Sequence, residues 1–257
     1  MADTLYGMKK LIIWARGTNC TLTTNINATA TTLVLNTAEG NNFNTALTTF
    51  PHKISMDTEI MYVTAKINTT AVTISRGRDG TTAASHDTTL PNVLHLVPVR
   101  VQKVSEFTIT PDIQTISIPG DGTVEQVFST NGINGTLTEN KWTDDVLQIA
   151  LGATLYNTNL DSTVASQLHP QLGTYPQVQM DVDIKATDGD NSDADITRRI
   201  IVWKGKLQNP FVPGAAGNNA LQPTQIKWSA NPTTVDLFGL PIKGATADVH
   251  YTMAKLA

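Results

Sequence analysis

The chain has 257 residues, a net charge of −4, and 16% charged against 40% hydrophobic residues. This is enough apolar material for one large domain or two smaller ones, and it excludes wholesale disorder. The single cysteine, Cys20, excludes an internal disulfide framework, and no apolar run reaches the roughly 20 residues of a membrane-spanning helix.

Threonine fills 40 positions, and its β-branched side chain favours pleated, half-buried surface. With frequent Asn, Gly and Pro it predicts many short strands joined by turns. Residues 5–15 read as the first strand, ending at Arg16-Gly17. The stretch Lys9 to Ala15 briefly resembles a signal peptide, but Arg16 cuts the apolar run short, so a chain made in the cytoplasm is expected. Residues 20–97 read as a compact β module. It holds a short strand at Thr32–Leu35, a polar loop through Asn41, Asn42 and Phe43, and strands at 60–64 and 71–74 joined by a turn at 67–70. Arg76 to Thr82 reads as a Gly-punctuated turn, and 94–101 as a buried strand leading out of the module.

Beyond residue 98 the pattern changes. Two strands flank Pro111, and Pro119-Gly120-Asp121-Gly122 is a turn in which glycines supply positive φ. A helix is predicted over 142–151. Trp142, Val146, Ile149 and Ala150 share its packing face, Asp144 and Asp145 sit in the first turn, and Gly152 stops it. Val178, Met180, Val182, Ile184 and Ala186 alternate with Gln179, Asp181 and Asp183, which reads as a half-buried strand with its carboxylates on the exposed side. A polar tip carrying Asp188, Asp190, Asp193 and Asp195 leads back into a strand over 196–207. Residues 209–223, including Phe211, form a loop; 224–230 is a further strand and 249–253 closes the sheet.

The chemistry-bearing residues form no catalytic or metal constellation. Counted as a calcium loop from Asp188, the position that requires Gly is Asp193, and no Glu closes the loop. His52, His86, His95, His169 and His250 are never at ligand spacing. A non-enzymatic chain without cofactor or metal is expected, with Cys20 a passive small residue. Residues 1–100 carry +2 and residues 101–257 carry −6. No basic stripe favours sequence-specific DNA binding, whereas a weakly acidic wall lets DNA slide past.

Two stretches resemble known proteins. Glu59-Ile60-Met61-Tyr62-Val63-Thr64, then Val72-Thr73-Ile74-Ser75-Arg76-Gly77, then Asp79 to His86 are similar to a β module recurrent in phage virion proteins. That module runs an acidic residue before a "VT" strand, then "VTRG", then "GTTAAAH". From 98 onward, two early strands, a helix, a long hairpin around Asp188 and a last strand set near Ile226-Lys227-Trp228 resemble the tail tube protein of tailed bacteriophages in their order.

The resemblance implies a mainly β fold. Its core would be two packed antiparallel sheets with one flanking helix, formed by 1–19 and 98–257, with the module 20–97 inserted. It implies a homo-oligomer of hexameric rings stacked into a tube within the virion, in contact with other phage tail proteins, with double-stranded DNA passing non-specifically through the lumen and no membrane insertion. The acidic 101–257 region is expected to supply the channel wall. From their loop character, Asp188, Asp190, Asp193, Asp195, Asn41, Asn42, Phe43 and Phe211 are the candidate contacts between subunits. The alternatives are a capsid decoration or connector protein, which uses similar modules, and a carbohydrate-binding or adhesin module, for which Trp14, Trp142, Trp203 and Trp228 would have to be exposed rather than core.

Overall fold

A computed structural model describes residues 4–43, 51–89, 92–101, 104–119, 124–139, 154–156, 167–169, 176–187, 195–208, 224–245, 247, 249 and 251–256. Its strands, in chain order, are β1 (Thr4–Arg16), β2 (Cys20–Thr21), β3 (Thr32–Val34), β4 (His52–Met56), β5 (Glu59–Lys66), β6 (Ala71–Arg78), β7 (Asn92–Val101) and β8 (Val104–Phe107). They continue with β9 (Thr110–Pro119), β10 (Val124–Glu139), β11 (Thr154–Tyr156), β12 (Gln167–His169), β13 (Gln177–Thr187), β14 (Asp195–Gln208), β15 (Thr224–Ala230) and β16 (Tyr251–Leu256). A 3-10 turn covers Glu39–Asn42. The mainly β expectation holds, and the pairings between these strands are antiparallel. The helix proposed for Trp142, Val146, Ile149 and Ala150 lies outside the described residues.

All but β11 and β12 belong to one sheet of 14 strands, in the order β3-β6-β5-β4-β7-β1-β13-β14-β15-β10-β8 along its main path. At one end the strands β2 to β6 and the first half of β7 enclose an apolar cluster drawn entirely from 20–93, centred on Leu33, Leu35, Phe43, Ile54, Met61 and Val72. At the other end β1, β13, β14, β15 and β10 enclose a second cluster around Leu11, Ile13, Met180, Val202, Leu207 and Trp228. Here the sheet curls until β8 lies beside β1, with Met8, Val104 and Phe107 packed on the same core. β7 belongs to both ends, pairing with β2 and β4 through 92–96 and with β1 through 96–101.

β1 shows why its sequence reads as an unbroken apolar run rather than an alternating one. Leu11, Ile13 and Ala15 point into the curled-sheet core, while Ile12 and Trp14 meet Leu96 and Leu237 on the opposite face. A strand covered on both faces has no solvent side to keep polar. Near its start β1 slips register between Leu5 and Met8, where Gly7 has φ +72°, and again between Met8 and Lys10; glycine accepts that conformation without steric cost. In the core, Gly135 lies so close beneath Trp228 that a Cβ there would stand 2.4 Å from the indole and 2.0 Å from the Thr108 carbonyl oxygen.

Candidate functional site

The motif residues between 59 and 86 converge on one buried carboxylate. Glu59 begins β5 and has no exposed surface. Its two oxygens accept a forked pair of bonds from Arg76, Nε to Oε1 at 2.8 Å and Nη2 to Oε2 at 2.7 Å. The Gly77 N–H (3.0 Å), the Ala84 N–H (3.0 Å) and His86 Nε2 (2.9 Å) complete its shell. Burial alone would raise the Glu59 carboxyl; the bonds from Arg76, Ala84, His86 and Gly77 outweigh it and hold the group down to about 2. Arg76 further donates to the carbonyls of Asn27, at 2.6 Å, and Ala84, and His86 Nδ1 meets Asp57 at 2.8 Å. Acidic residue, "RG" and "H" are therefore four parts of one clasp. It ties β5 and β6 to the loops at 27 and 84, and its groups satisfy one another rather than face a substrate.

A second polar network joins the module to the curled sheet. Lys53 on β4 is buried beside Trp14 of β1, its ammonium 4.5 Å from the indole centroid, and forms a 2.8 Å ion pair with Asp79. The Tyr62 hydroxyl donates to the same Asp79 at 2.5 Å, and burial, with Asp79 adding to it, pushes that phenol up. The Trp14 indole N–H donates to Asp181 at 2.9 Å, Gln179 donates to Asp181 at 2.8 Å, and Arg199 clamps Asp183 with bonds of 2.6 and 2.9 Å. The expectation that Asp181 and Asp183 sit on an exposed face is thereby corrected, since they are only 4% and 7% exposed. The module and the loop at 231–245 cover what an isolated strand would leave wet. That loop is tightened by Asp236, whose Oδ1 accepts the N–H groups of Phe238 and Leu240, both at 2.9 Å. Burial nevertheless pushes the Asp236 carboxyl up.

Between these parts lies a cleft of about 360 Å³ lined by Lys53, Asp79, Gln179, Trp203, Asp236 and Phe238. Lys53 and Asp79 are spent on each other, Gln179 on Asp181, and Asp236 on its own loop. Among the described residues no group of three His, Cys, Asp or Glu side chains is placed to hold a metal ion. Of the tryptophans, Trp14 and Trp228 are core residues, and Trp203 is half-buried with its N–H donated to Thr252 at 2.9 Å. Trp142 lies outside the described residues.

The proposed contact residues separate on inspection. Asn41 is exposed and accepts a 2.7 Å bond from Lys66, and Asn42 is half-buried with its amide 3.6 Å from the Cys20 sulfur. Phe43 is corrected from a surface contact to a core residue: it has no exposed surface and packs in the module interior against His52 and His95. Asp188, Asp190, Asp193 and Phe211 lie outside the described residues; Asp195 opens β14 opposite Thr187, and its side chain is likewise outside them.

Two features that could carry assembly were not singled out in the sequence. β8 and β9 run consecutively along β10, but β15 covers β10 only from Ile133 onward. The remaining 112–119 and 124–132 form a two-stranded arm that pairs only with itself among the described residues, reaching about 30 Å at the usual rise per residue. Its Ile113 is 57% exposed. β16 pairs with β14 alone among the described residues, and Tyr251 and Met253 stand exposed on it. Periodicity marks such segments as strands but says nothing of what lies beside them. No protein-family model matches the chain, and a search of curated proteins finds no match.

Proposed function

We propose that the chain is a structural subunit that assembles with copies of itself into stacked, hexameric rings, forming a phage tail tube within the virion. The observation that carries this is the self-paired arm on a sheet whose β16, among the described residues, pairs on one side only. Unpaired strand edges invite pairing with another chain, and a closed ring uses that tendency without running on into aggregates. The frame of two packed antiparallel sheets with a flanking helix belongs to this proposal, as do contacts with other tail proteins and passage of double-stranded DNA through the lumen. The acidic wall changes in composition. Asp181, Asp183 and Asp236 are buried, so its charge must come from other carboxylates of 101–257.

The buried clasp supports a structural rather than a catalytic role for the module, because every group in it is committed to holding loops. Size-exclusion chromatography of the purified chain followed by negative-stain electron microscopy tests the proposal. Rings or tubes with a central channel are the expected result. Binding to preformed capsids by a chain that never self-associates would replace the proposal with the decoration or connector alternative.

A further inference from the structure

His52 opens β4, His95 lies in β7, and their rings stack with centroids 5.1 Å apart and 28° between planes. His52 Nδ1 and His95 Nε2 are 2.8 Å apart, and each residue is 2% exposed. Phe43 closes the cluster, its ring centroid 4.5 Å from that of His95 and 5.7 Å from that of His52. Two ring nitrogens at this distance hold one proton between them, one donating and the other accepting through its lone pair. A second proton would set two N–H groups against each other and place two positive charges in an apolar cluster.

The pair stands where the chain passes from β1 into the module. The Gly17 N–H donates to the His95 carbonyl at 2.9 Å, and a Cβ on Gly17 would lie 2.6 Å from His95 Nδ1. Charged and titratable groups surround the pair on each element but are engaged elsewhere. On β4, Lys53 pairs with Asp79 beside Trp14, away from the module core. On β2, the Cys20 thiol is pushed up by burial and receives the Asn42 amide. On the 3-10 turn, the Glu39 carboxylate accepts the Thr21 and Asn36 N–H groups. At the end of β1, Arg16 donates to the Leu237 carbonyl, and on β5 Lys66 donates to Asn41.

We propose that the His52–His95 pair is an acid-sensitive latch: holding one proton it fastens the module to the end of β1, and taking up a second it releases that junction. Burial, then the neighbouring His52, hold His95 far below the ordinary histidine range, to about 3, against an opposing pull from the Thr18 carbonyl. An opened His95 takes up its proton near pH 6.5 whereas the latched one refuses it, so the latched form loses stability as pH falls from 6.5 towards 3. For this one histidine the opening equilibrium rises about fifteen-fold between pH 6.5 and 5. That window lies above the ordinary carboxylate range, so the Glu59 carboxyl does not contribute to it. The latch is independent of the proposed assembly.

Amide hydrogen exchange of the full chain, corrected for the intrinsic pH dependence of exchange, reads the opening directly. Protection in β2, β4 and the first half of β7 is expected to fall about fifteen-fold or more from pH 6.5 to 5, with β13 and β14 unchanged. The double variant His52→Asn, His95→Gln keeps one donor–acceptor contact without a titrating group and is expected to lose that pH dependence. It leaves His86 in place, so a dependence that survives in it belongs to the clasp and overturns the latch. Should the variant not fold, the ring resonances of the native chain decide. A His95 that stays neutral down to pH 5 while protection falls supports the latch, and His52 and His95 both titrating near 6.5 with protection unchanged overturns it.

Discussion

The module's interior holds a buried carboxylate, its guanidinium partner and three imidazoles, whereas the curled sheet encloses the larger set of buried apolar side chains, from Leu11 to Ala230. The curled sheet has long strands and a large indole to bury, and its buried carboxylates, Asp181 and Asp183, lie with Arg199 on the outer face where the module meets it. The module has shorter strands and long loops at 22–31 and 79–89, which no apolar surface alone would fix. Its polar clasp orders those loops because each bond specifies one geometry. The two designs should therefore fail differently: an apolar core weakens in proportion to lost volume, whereas a buried ionic network fails when any one member leaves its partners unpaired.

The largest effect is expected from Glu59→Ala. It leaves the buried Arg76 guanidinium without its carboxylate, with only the Asn27 and Ala84 carbonyls to accept from it, and strips His86 Nε2 of its partner, at a cost of about 3–5 kcal/mol. Denaturant unfolding with exchange by segment should show the module strands losing protection while β13 and β14 keep theirs. A single loss across both would mean that the continuous sheet makes one cooperative unit, and the contrast would fall. Acid should reach the same group. The Glu59 carboxyl is depressed from 4.5 to about 2 in the folded chain, so its contribution, about 3 kcal/mol, is present above pH 4.5 and disappears as the pH falls through 2. A module melting profile flat between pH 4.5 and 2 would contradict this.

For the curled sheet the corresponding probe is steric. Gly135→Ala drives a methyl group against the Thr108 carbonyl and the Trp228 ring, and backbone on one side with a packed indole on the other cannot both yield. A loss of about 2–3 kcal/mol is expected, with the β10–β15 pairing losing protection first and the module unaffected.

Much of this architecture is legible in the chain. The alternation over 178–186 gives β13, the apolar run within 5–15 gives β1, and 224–230 gives β15. The motif from Glu59 to His86 is visible as a pattern, although nothing in its spacing shows that the four groups meet. What stays hidden is non-local. Asp181 and Asp183 look solvent-facing because alternation reports only a strand's two faces, and a cover supplied by residues 53 and 237 leaves no local mark. Phe43 follows two asparagines and reads as loop, yet the 3-10 turn ahead of it swings it inward. His52 and His95 are 43 residues apart, and only the β4–β7 register brings them together.

The seam between the regions is tested by Lys53→Met, which keeps an aliphatic stem against Trp14 and removes the ion pair with Asp79. Asp79 is partly exposed and retains Tyr62, so the expected cost is only about 1 kcal/mol. Thermal melting should show it shared by both regions. A larger loss confined to the module would place Lys53 among the module's own supports and make the seam passive.

The smallest effect on stability is expected where the proposed function is most exposed. Ile113 sits on the arm outside both core clusters and is already 57% solvent-accessible, so Ile113→Asp should change the unfolding free energy by no more than about 0.5 kcal/mol. It places a charge on a strand edge, the device by which sheet proteins block edge-to-edge pairing. If the arm joins one copy to the next, this variant remains a folded monomer under conditions in which the native chain forms rings or tubes, and sedimentation separates the two outcomes. Assembly unchanged by the charge would move the contact to the β16 edge, where Tyr251 and Met253 are the next positions to charge. Assembly surviving charges at both edges would remove strand pairing as the basis of self-association.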